Sequence, residues 1–138
     1  MKMSIGQWCI NKLSIDRKDV KAGNVLTEGT FSLDIKNSVE IEKKRFYGCF
    51  DLTLNDPRYD LFIEVVYPFD VIDGEIDEAF IASPFPRVNA PAIAFPYLRA
   101  MISTITLQAG LKPVMLPSIN FAGAKEASSI KEKTRCAE

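Results

Sequence analysis

The chain has no histidine, and only three of its 138 residues are cysteine. Without imidazole, the commonest general base and the usual central member of a hydrolytic triad are missing. Cys9, Cys49 and Cys136 stand far apart and form no C-x-x-C pair, so no metal and no cofactor is expected. Scattered thiols in odd number read as reduced cysteines of a cytoplasmic protein. An excess of one charge is also missing: a net charge of −1 leaves no basic field to hold a nucleic-acid backbone. Long apolar runs are lacking too. The longest uncharged stretches, Ala100 to Leu111 and Pro113 to Ala124, are too short to span a bilayer, and no apolar segment follows Met1-Lys2-Met3-Ser4. Neither membrane insertion nor a signal peptide is expected. What remains, 47% hydrophobic and 25% charged residues, is the composition of one globular domain.

The first half reads as strands. Phe46, Gly48, Phe50, Leu52 and Leu54 alternate with Tyr47, Cys49, Asp51, Thr53 and Asn55, the period of a half-buried strand. Asn55-Asp56-Pro57-Arg58 is a turn by composition. Leu61, Ile63, Val65, Tyr67 and Phe69 then share one face of a second strand. Phe31, Leu33 and Ile35 mark a third, against Ser32, Asp34 and Lys36. Trp8, Ile10 and Leu13 mark a fourth, whose parity breaks between 10 and 13; a β-bulge near Asn11 restores it. Short connections between such strands favour an antiparallel sheet.

Asp73-Gly74-Glu75 ends the strands, and a short helical turn is expected around Ala79 to Ile81. Asp73, Glu75, Asp77 and Glu78 form a solvated acidic turn without the ligand spacing of a calcium loop. Phe95-Pro96-Tyr97 opens a helix, with proline in the first turn, and Gly110 stops it. Leu98, Ile102, Ile105 and Ala109 fall in one stripe, with Arg99, Ser103 and Thr106 as a polar sector beside it. Ala100 and Leu107 lie opposite the stripe, as in a helix held between its own sheet and a second subunit. Leu111 to Pro117 then carries two prolines among large apolar residues, an extended strap. From Ala122 onward Ile130 is the only large apolar residue before the end, and a weak helix is expected near Lys125 to Lys133.

The run Phe95-Pro96-Tyr97-x-Arg99 with Ile102, the Gly110 stop, and Leu116-Pro117-x-x-Asn120-Phe121 resembles the SecB family of protein-export chaperones. Trp8-x-Ile10-x-x-Leu13 is similar to that family's first strand, Phe31-x-Leu33-Asp34-Ile35 to its second, and Ile63-Glu64-Val65 stands in the place of a family C-E-V. The resemblance implies an α+β fold: a four-stranded antiparallel sheet packed on a long helix, with an extended strap and a short C-terminal helix. It places a SecB-like domain over residues 1–121 and a weak helix and tail over 122–138. It also implies a cytoplasmic homotetramer, a dimer of dimers, that holds nonnative polypeptides without chemistry.

A surface that holds unfolded chains needs wet, sequence-tolerant apolar area, and aromatic residues and methionine suit it. The candidates are Phe31, Leu33, Ile35, Tyr67, Phe95, Tyr97, Met101, Leu116, Ile119 and Phe121, with Met115 beside them in the strap. For most of these, packing in the core or a subunit interface is the competing explanation. Ala100 and Leu107 are the candidate subunit contacts. Asp19 and Glu64 match two positions at which family members dock the SecA motor, but the third falls within Lys21-Ala22-Gly23, and the tail from Lys131 to Arg135 is basic. Weak or absent SecA binding is expected. The missing acidic patch leaves a second reading open, a SecB-like module dedicated to one partner such as an antitoxin. An enzyme or a closed-pocket carrier is the third, disfavoured by the missing histidine and metal motifs.

Overall fold

A computed structural model of the chain describes residues 2–19, 29–40, 42, 44–122, 129–133 and 135–136, the last two ranges by their backbone alone. Five strands open the described chain: β1 (Lys2–Ile5), β2 (Cys9–Arg17), β3 (Thr30–Glu40), β4 (Arg45–Asp56) and β5 (Tyr59–Asp73). Helix α1 (Glu78–Ala82) and a π-helical turn (Phe85–Asn89) lead into the long helix α2 (Ala90–Gln108). Three short strands follow, β6 (Val114–Met115), β7 (Ser129–Lys133) and β8 (Arg135–Cys136).

All pairings in the main sheet are antiparallel, in the order β1-β5-β4-β3-β7, with β2 also on β5. Strand β5 is long enough for two partners on one edge: β2 pairs with residues 59–66 and β1 with 69–73. Pro68 sits where the partner changes. Its carbonyl accepts from the Gly6 N–H at 2.7 Å, so the N–H that proline lacks would face this same edge, at the break. The register of β2 shifts between Ile10 and Lys12, which is the bulge expected at Asn11. Because of it, Ile10 and Leu13 stand opposite Val65 and Ile63, on the inner face.

Period-two alternation sends Phe46, Phe50, Leu52 and Leu54 of β4, and Leu61, Ile63, Val65 and Tyr67 of β5, into one core with Phe95, Leu98 and Ile102 of α2. Burying Leu98 or Ile102 contributes about 1.5–3 kcal/mol each. Gly48 lies under the Tyr67 ring: a Cβ there would stand 2.0 Å from Tyr67 Cε2, so only glycine fits beneath this tyrosine. Phe85–Gln108 is long and apolar enough to cross a membrane by length and composition. The core helix of a soluble protein passes the same test, and Ala94, Phe95, Leu98, Ile102 and Thr106 are buried.

Several expectations change. Helix α2 begins at Ala90, not Phe95, with Pro91 in its first turn and Pro96 inside it. The lost bond is the one to the Ala92 carbonyl, and Ala92 is exposed, so water can take its place. Thr106 is buried, not polar surface: its hydroxyl donates to the Ile102 carbonyl at 2.7 Å and accepts from the Val114 N–H at 3.0 Å. The sheet gains β1 and β7 beyond the four strands read from alternation. Residues 129–133, expected as part of a terminal helix, instead pair with β3, from Asp34↔Ser129 to Thr30↔Lys133; residues 125–128 lie outside the described set. A free strand edge on β3 offers these residues a row of hydrogen bonds, and that overrides a weak helical preference.

Candidate polypeptide-binding surface

The strap after α2 is built from the helix end outward. Gly110 has φ of 80°, which glycine adopts at no steric cost. Its N–H donates to the Leu107 carbonyl at 3.1 Å and the Leu111 N–H to Thr106 at 3.0 Å, a Schellman close that turns the chain back along the helix. Val114 and Leu116 then point into the core while Met115, between them, points out. Arg99 Nε donates to the Leu116 carbonyl at 2.8 Å, and its Nη1 to Ser118 Oγ at 3.4 Å. Phe95 meets Phe121 edge-on, with ring centroids 5.6 Å apart. Asn120 Oδ1 accepts from the Ala122 N–H at 3.1 Å. The two separated halves of the sequence motif therefore touch: Phe95 and Arg99 of the helix hold Phe121 and Leu116 of the strap. Arg99, placed in the polar sector of the helix, is thus a latch on the strap.

Ten residues had been singled out for the polypeptide groove. Phe31, Leu33, Tyr67, Phe95, Leu116 and Phe121 are buried in the core. Ile35, Met101 and Ile119 are half-buried against it. Tyr97 alone stands out, 52% exposed, its ring tilted against Trp8 with centroids 5.7 Å apart. Trp8 in turn packs on Tyr67 at 5.5 Å, so a chain of rings runs from the core to the surface. Met115 is 52% exposed, Leu107 56% and Ile93 47%; Ala100 is exposed. A cleft of about 290 Å³ between α2 and the strap is lined by Ala100, Met115 and Leu116, with Arg99 and Ser103.

A larger cleft of about 640 Å³ was missed in the sequence. Met3, Phe69, Phe80, Phe85 and Ile93 wall it, and Glu75 and Asp77 stand in its lining. Phe80 and Phe85 belong to the proline-interrupted connection, where two aromatics five apart were the available signal. They pack on each other and on Phe46 at 5.5 to 6.0 Å. Asp77 caps α1 by accepting from the Phe80 N–H at 2.9 Å, which fixes that ring over the cleft.

The outer face of the sheet carries charge. Register sets Asp34, Asp51 and Glu64 opposite one another across β3, β4 and β5, with Lys12 of β2 closing the row. Asp51 accepts from Lys36 Nζ at 2.6 Å, and the ion pair holds the lysine in its charged form. Cys49, Asp51 and Glu64 bring three ligand atoms within 4.8 Å of one another. Burial, then the neighbouring Asp51 carboxylate, pushes the Cys49 thiol up to about 12, so it is protonated at neutral pH. Asp19 is exposed and Glu64 half-buried. Burial also pushes the Tyr67 phenol up, so it is neutral at any physiological pH.

Comparison with known proteins follows the same lines. The family described as preprotein translocase subunit SecB matches residues 69–129, from the end of β5 through α2 and the strap. An uncharacterised protein of Methanocaldococcus jannaschii is 42% identical over 56% of this chain and 53% of its own length. The protein-export protein SecB of Rickettsia akari is 33% identical over 65% of this chain and 60% of its own. The chain thus spans between half and two thirds of the length of these curated relatives. Among solved structures, the SecB-like chaperone of Mycobacterium tuberculosis, in complex with a peptide from an antitoxin, superposes with a TM-score of 0.66 at 14% identity. That superposition covers 85% of this chain and 90% of the other, and at such identity it speaks for the fold. The antiparallel sheet, the helix that latches its own strap and these matches together support a SecB-like family for the chain.

Proposed function

We propose that this chain is a cytoplasmic holdase that binds nonnative polypeptides through exposed apolar surface, for protein export, with no catalysis, cofactor or metal. The observation that carries the reading is the solvent side of α2 and its strap, where Ile93, Tyr97 and Met115 stand about half exposed, Ile93 on the wall of the aromatic cleft. Large apolar side chains left open along one element and its strap suit a surface that meets a partner. Tyr97, Met101 and Ile119, with Ile35, touch the client; Phe31, Leu33, Tyr67, Phe95, Leu116 and Phe121 shape the surface from below. Ala100 and Leu107 meet a second copy in a homotetramer, a dimer of dimers.

Asp19 and Glu64 are the residues available for docking SecA, and Lys12 and Lys36 dilute the acidic row around Glu64. SecA binding is therefore weak or absent. A second reading has its own support: the similar solved chaperone holds an antitoxin peptide, so service to one dedicated partner fits this fold. Aggregation of a chemically unfolded test protein, followed by light scattering with and without this chain, tests the holdase. Suppression at near-equimolar tetramer is expected. No suppression, with a pull-down returning one native partner, would move the reading to the dedicated module. Light scattering that reports only a 15.4 kDa particle at micromolar concentration would remove the tetramer.

A further inference from the structure

At the far end of α2 from the aromatic cleft lies a second opening of different chemistry. It has a volume of about 350 Å³ and is lined by Arg17, Lys18, Arg58 and Lys112, with Gly110 and Leu111. Among the described residues its lining holds no carboxylate. Two of the four cations are already matched. Arg58 grips Asp56 through Nε at 2.8 Å and Nη2 at 2.9 Å, and Lys18 Nζ lies 3.0 Å from Asp60 Oδ1. The other two are not. Arg17 donates from Nη2 to the Ala109 carbonyl at 3.1 Å, which fixes its guanidinium at the negative end of the helix, and Lys112 makes no such bond. Among the described residues neither has a carboxylate partner.

We infer that this cleft binds the carboxylates of an acidic polypeptide segment, a contact separate from the apolar surface and independent of the holdase reading. Two observations favour a polypeptide over a small oxyanion. The N–H groups of Gly110 and Leu111 are spent on Leu107 and Thr106, and Pro113 after Lys112 has none, so this segment offers no run of free N–H groups to cradle a phosphate. The cations come from three separate segments around a space several times the volume of one phosphate, a spacing that suits successive acidic side chains.

The test is fluorescence anisotropy with a labelled decaglutamate peptide on the whole chain, against decaglutamine and with inorganic phosphate as competitor. Decaglutamate is expected to bind at low salt and to weaken as salt screens the cleft, with decaglutamine silent. Lys112→Glu reverses an exposed charge without removing a bond and is expected to weaken binding about tenfold; Arg17→Gln, which keeps an N–H for Ala109, about threefold. Thermal melts check that both variants fold. Equal affinity for wild type and Lys112→Glu overturns the inference. So does decaglutamine binding as well as decaglutamate, or complete competition by millimolar phosphate, which would make the cleft a small-oxyanion site.

Discussion

The two sides of α2 are made of the same kind of residue and do different things. Inward, Ala94, Leu98 and Ile102 are fully buried; outward, Ile93, Tyr97 and Leu107 are about half exposed. Hydrophobicity along this helix is nearly uniform, so composition alone assigns neither side. What separates them is the sheet. Its inner face has one layer of width to offer, and α2 spends one stripe on it. The apolar side left over is exposed; under the proposed function it serves as an interface or a client surface, and it is expected to behave as surface when altered.

The sharpest way to break this comparison is to truncate one leucine on each side. Leu98→Ala is expected to cost about 2–5 kcal/mol in urea unfolding, because the site is closed all round. Leu107→Ala should shift the monomer's stability by less than about 0.5 kcal/mol while reducing the particle mass seen by light scattering. Equal costs for the two would make the outer side core. Next in size is the latch: Arg99→Ala removes a charged donor from the Leu116 carbonyl and is expected to cost about 1.5–3 kcal/mol. Arg99→Lys should recover part of that loss, and faster hydrogen exchange at the strap amides would report the release.

Tyr97 and Met115 sharpen the comparison from the functional side. Replacing both with serine leaves no internal cavity, since each is about half exposed. Client affinity should fall by roughly tenfold or more at nearly unchanged stability, given about 1 kcal/mol for half of each side chain's burial. Leu116 cannot serve in such a test, because it is buried and its loss would empty part of the core. The smallest effect belongs to Asp56. Burial raises its pKa, but hydrogen bonds and charge from Arg58 outweigh burial and hold it below the usual carboxylate range. Its contribution is present above the unfolded value, about pH 4, and is lost as pH falls through the depressed folded value. Arg58→Gln should therefore narrow the difference in stability between pH 5 and pH 3.

Much of the fold was legible because a strand writes its burial every second residue. Even the irregularity in β2 could be read, since Ile10 and Leu13 cannot share a face without an extra residue. The start of α2 could not, because Pro96 looks like a first-turn proline and the cost of having it inside depends on Ala92 lying in water. The β7 pairing was hidden for a similar reason: an edge on β3 decides it, and no local residue in the tail announces that edge. The motif of the strap was visible, but its meaning was not. Phe95, Leu116 and Phe121, read as client contacts, are buried and secure the strap, since conspicuous apolar residues in a motif fill the core first. The aromatic and the cationic cleft each assemble from distant segments, Met3 with Phe85 in one and Arg17 with Lys112 in the other, so no window of sequence contains either.

The bulge in β2 has a consequence for how this chain tolerates gain and loss of residues. Asn11 is the one residue of the strand without a partner on β5, between Ile10↔Val65 and Lys12↔Glu64. Deleting it would leave a regular ladder with Cys9 and Lys12 still outward and Ile10 and Leu13 still inward. The same deletion within Phe46 to Leu54, or within Leu61 to Phe69, would turn every following side chain over and carry half the core into water. The amino-terminal edge of the sheet therefore holds a spare residue that the central strands lack. Length variation should be admitted at that edge, and the bulged strand can shorten by one codon without a compensating change elsewhere.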